Sequence, residues 1–560
     1  MGFILRIKKL AAITNLRISS ILVVLFFFVI NSINDLIGLA LIGPFVSVAF
    51  DSSFKTPEWV GEYSSLFEVT DLGFLFLILV FFSIIKFFVQ IASNTYIIYF
   101  GQTVQLDLRR RLLQKFSELP LSDKLNTETS DLLYSLQNLV PRFGRLFSTT
   151  LKATSDVLLA CIIIAFLTVN FTKIILIIVA VMVPLVILYE FFLGSMLQNN
   201  GKKLNASGTA LIHVCQEISD GFQEIKTYNK FSLFEKSILT NNRSVAFYQT
   251  VQQSIQTMPR ITIEFLMVVF TASIIITDWV SGSDGQILSV LSVFAMASLR
   301  LIPAATQLIV ASGELRFESS TLEKIDRSIN WEIINKVSNN NHDDLKSHNF
   351  SSFSVSNVSV AFDEKILIED FEKKFNKGSI YGIHGPSGAG KTTLVNTLIG
   401  LLPSNTGSFC LDDRLIDPVK GQLYSRVAKI PQQPFIMNRN LYENVTLTEI
   451  EKADKKSIER FEDILSITGL HDVRKRFDNF NVGGGGDRIS GGQKQRVAIA
   501  RALFHERDIL IFDEATNSLD SASEERILKS IQALKKDRII FLISHSQTVL
   551  SICDDLISLG

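Results

Sequence analysis

The stretch Ser379-Ile380-Tyr381-Gly382-Ile383-His384-Gly385-Pro386-Ser387-Gly388-Ala389-Gly390-Lys391-Thr392-Thr393 decides the fold of the C-terminal part of the chain. Its first six residues read as a short apolar strand, and the glycine-rich turn after them leads into a helical run over 394–402. Glycines at 385, 388 and 390 let backbone N–H groups wrap an anion, and the positive end of the following helix favours the same charge. Lys391 then reaches the β- and γ-phosphates of a nucleotide, while the Thr392 hydroxyl, with Thr393 beside it, reaches Mg²⁺. Strand, loop and helix in this order distinguish a phosphate-binding loop from a chance run of glycines.

Toward the C-terminus, Ile509-Leu510-Ile511-Phe512-Asp513-Glu514 is an apolar strand ending in two acids. Burial explains its apolar part alone. In a nucleotide-binding fold the carboxyl end of such a strand is where metal and attacking water belong, so Asp513 is placed on Mg²⁺ and Glu514 on the water. A further strand is expected over 539–544, giving an α/β nucleotide-binding domain over 353–560. A polar linker, 330–352, precedes it and carries Asn339-Asn340-Asn341-His342-Asp343-Asp344.

Residues 1–329 are of another kind. Six stretches are long and apolar enough to cross a bilayer: 18–50, 72–100, 146–169, 173–197, 261–281 and 286–312. A soluble helical core is the alternative, but 21–30 and 72–85 offer no polar face for water. Arg6, Lys8, Lys9 and Arg17 precede the first span; Arg109, Arg110, Arg111 and Lys115 follow the second; Lys202, Lys203, Lys226 and Lys230 lie between the fourth and fifth. Lys55 and Lys173 are the main cations of the opposite loops, so both termini are expected in the cytoplasm. The basic start lacks a small-residue cleavage site and reads as an uncleaved first span.

Residues 101–145 and 198–259 are expected to extend the spans into the cytoplasm, with short crosswise helices near Leu119-Pro120-Leu121-Ser122 and Ser219-Asp220-Gly221-Phe222. Thr56-Pro57-Glu58 followed by Trp59, Val60, Tyr63, Leu66 and Phe67 reads either as an amphipathic helix on the outer surface or as an ordinary aromatic loop.

Composition narrows the class. The 560 residues are 47% hydrophobic with mean hydropathy +0.29, and the net charge is zero, which gives no nucleic-acid footprint. Cys161, Cys215, Cys410 and Cys553 are scattered, which argues against a zinc site or a disulfide framework.

With Ile489-Ser490-Gly491-Gly492-Gln493 about a hundred residues after the phosphate loop, the C-terminal domain resembles the ATPase of ABC transporters, and the chain resembles an exporter half-transporter. The resemblance implies that Gln432, in Ile430-Pro431-Gln432-Gln433-Pro434-Phe435, touches Mg²⁺ and faces the membrane domain. It implies that Asp520, in Ser518-Leu519-Asp520, crosses to the partner ATPase and that His545 contacts the γ-phosphate. Phe362 falls where an aromatic stacks on adenine, although a strand aromatic is as readily core. The resemblance also implies that ATP held by one subunit is closed over by Ser490, Gly491, Gly492 and Gln493 of another, so the chain is expected to pair, most simply as a homodimer. Two departures stand out: Gly484 occupies a position often taken by glutamate, and Ser546 one commonly taken by arginine. The chain ends at Gly560, where no C-terminal regulatory extension is expected.

Charges inside the spans point to the passenger. Lys86 lies in the second span, Arg300 in the sixth, and Arg260 opens the fifth with Glu264 one turn on; Asp35 and Glu190 are the acidic residues of the first and fourth. Arg260 either pairs with Glu264 or faces the cavity. A cavity lined by cations suits an anionic amphiphile with a phosphate or pyrophosphate head. Met258-Pro259-Arg260, read as a turn, and Ala297-Ser298-Leu299-Arg300-Leu301-Ile302-Pro303 resemble the bacterial flippases of lipid-linked oligosaccharides. That likeness implies an inner-membrane pump for a polyprenyl-diphosphate-linked sugar. An exporter of lipids, peptides or drugs is the alternative within the class. A soluble DNA-repair ATPase is opposed by the apolar spans, and a nucleotide-gated channel or regulator would tolerate loss of Glu514.

Overall fold

The computed structural model describes residues 3–14, 18–50, 60, 64, 70–119, 121, 129–170, 172–281, 287–330, 349–362, 365–477, 481–483, 488–515 and 521–559. The chain divides into two compact units, one of Met1–Ser117 with Thr127–Trp331, the other of Glu118–Asn126 with Glu332–Gly560.

The first unit is helical: α1 (Phe3–Thr14), α2 (Ile18–Phe50), α3 (Asp71–Glu118), α4 (Thr129–Tyr134), a π-helical turn Ser135–Leu139, α5 (Val140–Asn170), α6 (Thr172–Asp220), α7 (Phe222–Thr227), α8 (Phe231–Ser281), α9 (Ile287–Phe317) and α10 (Ser319–Ile329). Among the described residues six helices exceed thirty residues, and they carry the six expected spans. On α3, Phe76, Phe81, Phe87 and Phe88 are all more than half exposed. A face this apolar is supportable against lipid and not against water. Met258-Pro259-Arg260 forms no turn, contrary to the expectation from sequence: α8 runs unbroken through Pro259. Proline inside a long helix removes one N–H, and neighbouring groups can re-satisfy the freed carbonyl.

Beyond the apolar stretches, buried apolar side chains and one polar network join the helices. Leu139, Phe143, Leu146 and Leu315 are at most 1% exposed. Helices α6 and α9 approach so closely that a Cβ at Gly201 would meet the Phe317 carbonyl oxygen at 1.8 Å. Arg142 on α5 forms a two-pronged ion pair with Glu318, at 2.8 Å through both Nε and Nη2, and donates to Asn205 Oδ1 at 2.7 Å. Tyr134 and Thr321 hydrogen-bond into the same cluster. Such a buried pair holds only when its remaining donors and acceptors are also met.

Of the expected crosswise helices, the second is α7, six residues long and entered through Gly221. The first lies outside the described residues except for Leu119 and Leu121. The aromatic segment near Trp59 is likewise outside them apart from Val60 and Ser64, and Val60 is fully buried against Phe74 and Leu75. Most of the linker, 331–348, is also outside them.

The second unit holds two sheets. A four-stranded antiparallel sheet has the order β2 (Lys365–Asn376), β1 (Ser352–Phe362), β4 (Thr406–Leu411), β5 (Arg414–Ile416). A five-stranded parallel sheet has the order β6 (Val427–Ile430), β7 (Ile509–Asp513), β8 (Ile539–Ile543), β3 (Ser379–His384), β9 (Asp555–Ser558). Strands β7 and β8 are buried at every residue, as the parallel arrangement demands. The carboxyl ends of β3, β7 and β8 therefore lie side by side, with Asp513 in register with Ile543. A helical subdomain, α12 (Leu441–Thr446), α13 (Lys455–Thr468), α14 (His471–Phe477) and α15 (Gly491–Phe504), surrounds its own core of Tyr442, Phe461, Val473 and Val497.

Candidate nucleotide site

The phosphate loop leaves β3 and enters α11 (Lys391–Leu398), which begins three residues earlier and ends four residues sooner than expected. Gly400, in left-handed backbone at φ +77°, closes it. At Gly385, with φ +151°, a Cβ would sit 2.1 Å from the Leu559 carbonyl oxygen, so no side chain fits. Lys391 is buried at 7% exposure, and its Nζ donates to the carbonyls of Gly385 and Pro386 at 2.9 Å each. Pro386, Ser387 and Gly388 are exposed, and Ala389, Gly390 and Thr393 half-buried.

Thr392 Oγ1 donates to Asp513 Oδ1 at 3.3 Å across 121 residues of sequence. Asp513 also accepts Lys429, whose Nζ is 3.1 Å from Oδ2 and 2.8 Å from Asn396 Oδ1. Sequence reading missed Lys429, because a lysine in a strand carries no signal until the strand is placed beside β7.

Glu514 has left-handed backbone, φ +50°, a conformation that costs a non-glycine residue about 1–3 kcal/mol and persists where surroundings enforce it. Its N–H is held by the Ile543 carbonyl at 3.0 Å. The kink delivers the carboxylate to Gln432, whose Nε2 donates to Oε2 at 3.0 Å, and to His545, whose Nε2 lies 3.7 Å from Oε1. Gln432 is anchored through its carbonyl, which accepts from Gln495 Nε2 at 3.5 Å. Three residues named separately from sequence thus converge on one another.

Ser490, Gly491, Gly492 and Gln493 start α15. Ser490 Oγ accepts from the Gln493 N–H at 3.3 Å, and Gln493 Oε1 accepts from the Ser490 N–H at 2.9 Å, a reciprocal cap that fixes the corner. A Cβ at Gly491 would meet nothing within 4 Å, so the corner faces open space. Among the described residues no hydrogen bond joins it to the phosphate loop. Asp520, the Phe362 side chain and Gly484 lie outside the described residues.

Of the span charges, Arg260 Nε lies 2.7 Å from Glu264 Oε1, and both side chains are exposed. Lys86 is half-buried on α3. Arg300 lies on α9, and its side chain, with those of Asp35 and Glu190, is outside the described residues.

Two families match the chain: "ABC transporter transmembrane region" over residues 21–302 and "ABC transporter" over 368–517. A probable ABC transporter ATP-binding/permease protein of Haemophilus influenzae is 36% identical over 39% of either chain. A putative export ATP-binding/permease protein of Rickettsia bellii is 26% identical over 80% of this chain and 76% of its own. An ATP-dependent lipid A-core flippase of Psychrobacter arcticus is 24% identical over 82% and 77%. The solved structure of a bacterial Atm1-family ABC exporter with ATP bound superposes with TM-score 0.80 over 97% of this chain and 93% of that one, at 18% identity, which speaks to the fold.

Proposed function

The chain belongs to the ABC transporter family, with transmembrane region and ATPase in one polypeptide, and from that premise we propose a homodimer that flips a lipid-linked oligosaccharide outward across the inner membrane. As an ABC exporter it couples ATP hydrolysis to transport. Both termini and the ATPase lie in the cytoplasm, and the chain divides into a transmembrane domain over 1–329, a linker over 330–352 and an ATPase domain over 353–560.

Lys86 carries the passenger assignment. A cation in a span costs about 2.5–3.5 kcal/mol on insertion scales, a cost retained where the charge has work to do. With Arg300 on α9 it equips the helices for a diphosphate head, and a lipid A-core flippase among the relatives favours an amphiphile of that kind.

At the ATPase, Lys391 and the backbone of 385–390 bind the phosphates and Glu514 polarises the attacking water, with His545 beside it to meet the γ-phosphate. Gln432 Nε2 is spent on Glu514, which leaves its Oε1 as an oxygen donor. With the Thr392 hydroxyl and the Asp513 carboxylate it would supply the hard-oxygen donors that Mg²⁺ prefers. When bound, Mg²⁺ neutralises phosphate charge. Ser490 to Gln493 and Asp520 complete the site of the opposite protomer, and Phe362 stacks on adenine.

Flipping is tested in proteoliposomes, with ATP supplied at the nucleotide-domain face and a polyprenyl-diphosphate sugar as passenger. ATP-dependent flipping of that lipid, weakened by Lys86→Ala and by Arg300→Ala, is expected. ATPase activity stimulated by drugs or peptides with no flipping of the glycolipid would move the assignment to the other exporter reading.

A further inference from the structure

A cavity of about 230 Å³ opens among α5, α6, α8 and α9, beyond the apolar stretches of the spans. Four glutamines form one wall. Gln249, Gln252, Gln253 and Gln256 follow an i, i+3, i+4, i+7 spacing, which puts all four amides on one face of α8. Gln256 Nε2 donates to Glu314 Oε1 at 2.9 Å. Among the described residues the side chains of the other three make no hydrogen bond.

The opposite walls carry ionisable groups. Arg142 is taken up by Glu318, and what remains is one guanidinium, Arg145, and one carboxyl, Glu314. For a diphosphate the cavity holds a single guanidinium, Arg145, beside the Glu314 carboxyl, whose pKa burial raises to about 7 and which is so left partly ionised. A group that both donates and accepts at every polar atom would find a partner at each, because an amide offers two N–H donors and a carbonyl acceptor. Sugar hydroxyls and acetamido groups have that character. The volume equals that of about eight water molecules, room for one sugar unit and not for a lipid tail.

We propose that this glutamine-walled cavity binds a hydroxyl-rich, uncharged sugar unit of the passenger's head group, leaving the diphosphate to the cations of the spans. The inference rests on the glycolipid reading above and adds the site that reads the sugar.

The test is binding to the full-length protein in nanodiscs of two probes, a polyprenyl diphosphate and the same lipid bearing one N-acetylhexosamine. Two hydrogen bonds to the sugar correspond to about tenfold tighter binding of the glycosylated probe. Gln252→Ala and, separately, Gln253→Ala should each cut that difference to about threefold while the bare lipid's Kd stays put, and Gln253→Asn should restore part of it. Equal Kd values for the two probes in the wild type, a comparison that needs no variant, would overturn the cavity assignment and leave the flippase reading standing. Equal loss of both probes in the variants would also overturn it. Binding of neither probe by the wild type would reject the glycolipid reading itself, and the sugar site with it.

Discussion

Gln432 Nε2 and Glu514 Oε2 are 3.0 Å apart, although 82 residues separate them in the chain. One stands just past β6 and the other just past β7, strands that are neighbours in the parallel sheet. The contact ties the carboxylate proposed to act on water to a residue whose carbonyl is itself held by α15 through Gln495. A shift of α15 therefore reaches Glu514 through a single intermediate residue, Gln432.

Replacing Glu514 by Gln keeps the shape and removes the base. General-base contributions of about 10²–10⁴-fold set the expected loss in steady-state ATPase activity, with ATP binding retained. Undiminished transport by Glu514→Gln would instead favour a nucleotide-gated channel or regulator.

The reciprocal cap at Ser490 and the open space before Gly491 make cross-complementation a direct test of pairing. Lys391→Ala and Ser490→Arg should each be inactive as homodimers. Mixed at equal amounts they should recover about a quarter of wild-type turnover, since half the dimers are mixed and each of those holds one intact site. ATPase activity that persists in strictly monomeric protein would remove the basis for the dimer.

The Arg142–Glu318 pair is a stability element of the helical unit. Removing one partner strands a buried charge, so Glu318→Ala should cost about 3–5 kcal/mol in the thermal stability of the detergent-solubilised protein. The double variant Arg142→Met with Glu318→Leu should be milder than the single one, because no ion is then left without its counterion.

His505, in the ATPase unit, carries a pH dependence. Burial, and after it the charges of Arg507, Arg501 and Arg460, hold the imidazole below its ordinary pKa of 6.5. The folded state keeps the ring neutral where the unfolded state takes up a proton, so this contribution is present above pH 6.5 and is lost as pH falls below it. Unfolding followed from pH 7 to pH 5 should show that loss, and His505→Gln should flatten it. An unchanged slope in the variant would assign the loss to other groups.

The phosphate loop, the acid-tipped strand β7, the Ser490 corner and the six apolar stretches were all legible as sequence, because each is a contiguous run with a local physical meaning. Glycines before a lysine make an anion cradle wherever they occur after a strand, and twenty apolar residues exclude water whatever their neighbours. Pro259 suggests a turn for a related reason: punctuation is judged locally, whereas α8 is held as a helix over 51 residues by its surroundings.

Tertiary structure alone decided the rest. Lys429 meets Asp513 only because β6 lies beside β7, and Glu514 reaches Gln432 and His545 only because its backbone takes a left-handed turn that sequence does not announce. The four glutamines of α8 form a plain polar stripe until α5 and α9 bring Arg145 and Glu314 opposite them. Local propensity and hydropathy act along the chain, so sequence carries them; the pairing of charges and the shape of a cavity depend on segments tens to hundreds of residues apart, which only packing brings within a few ångströms.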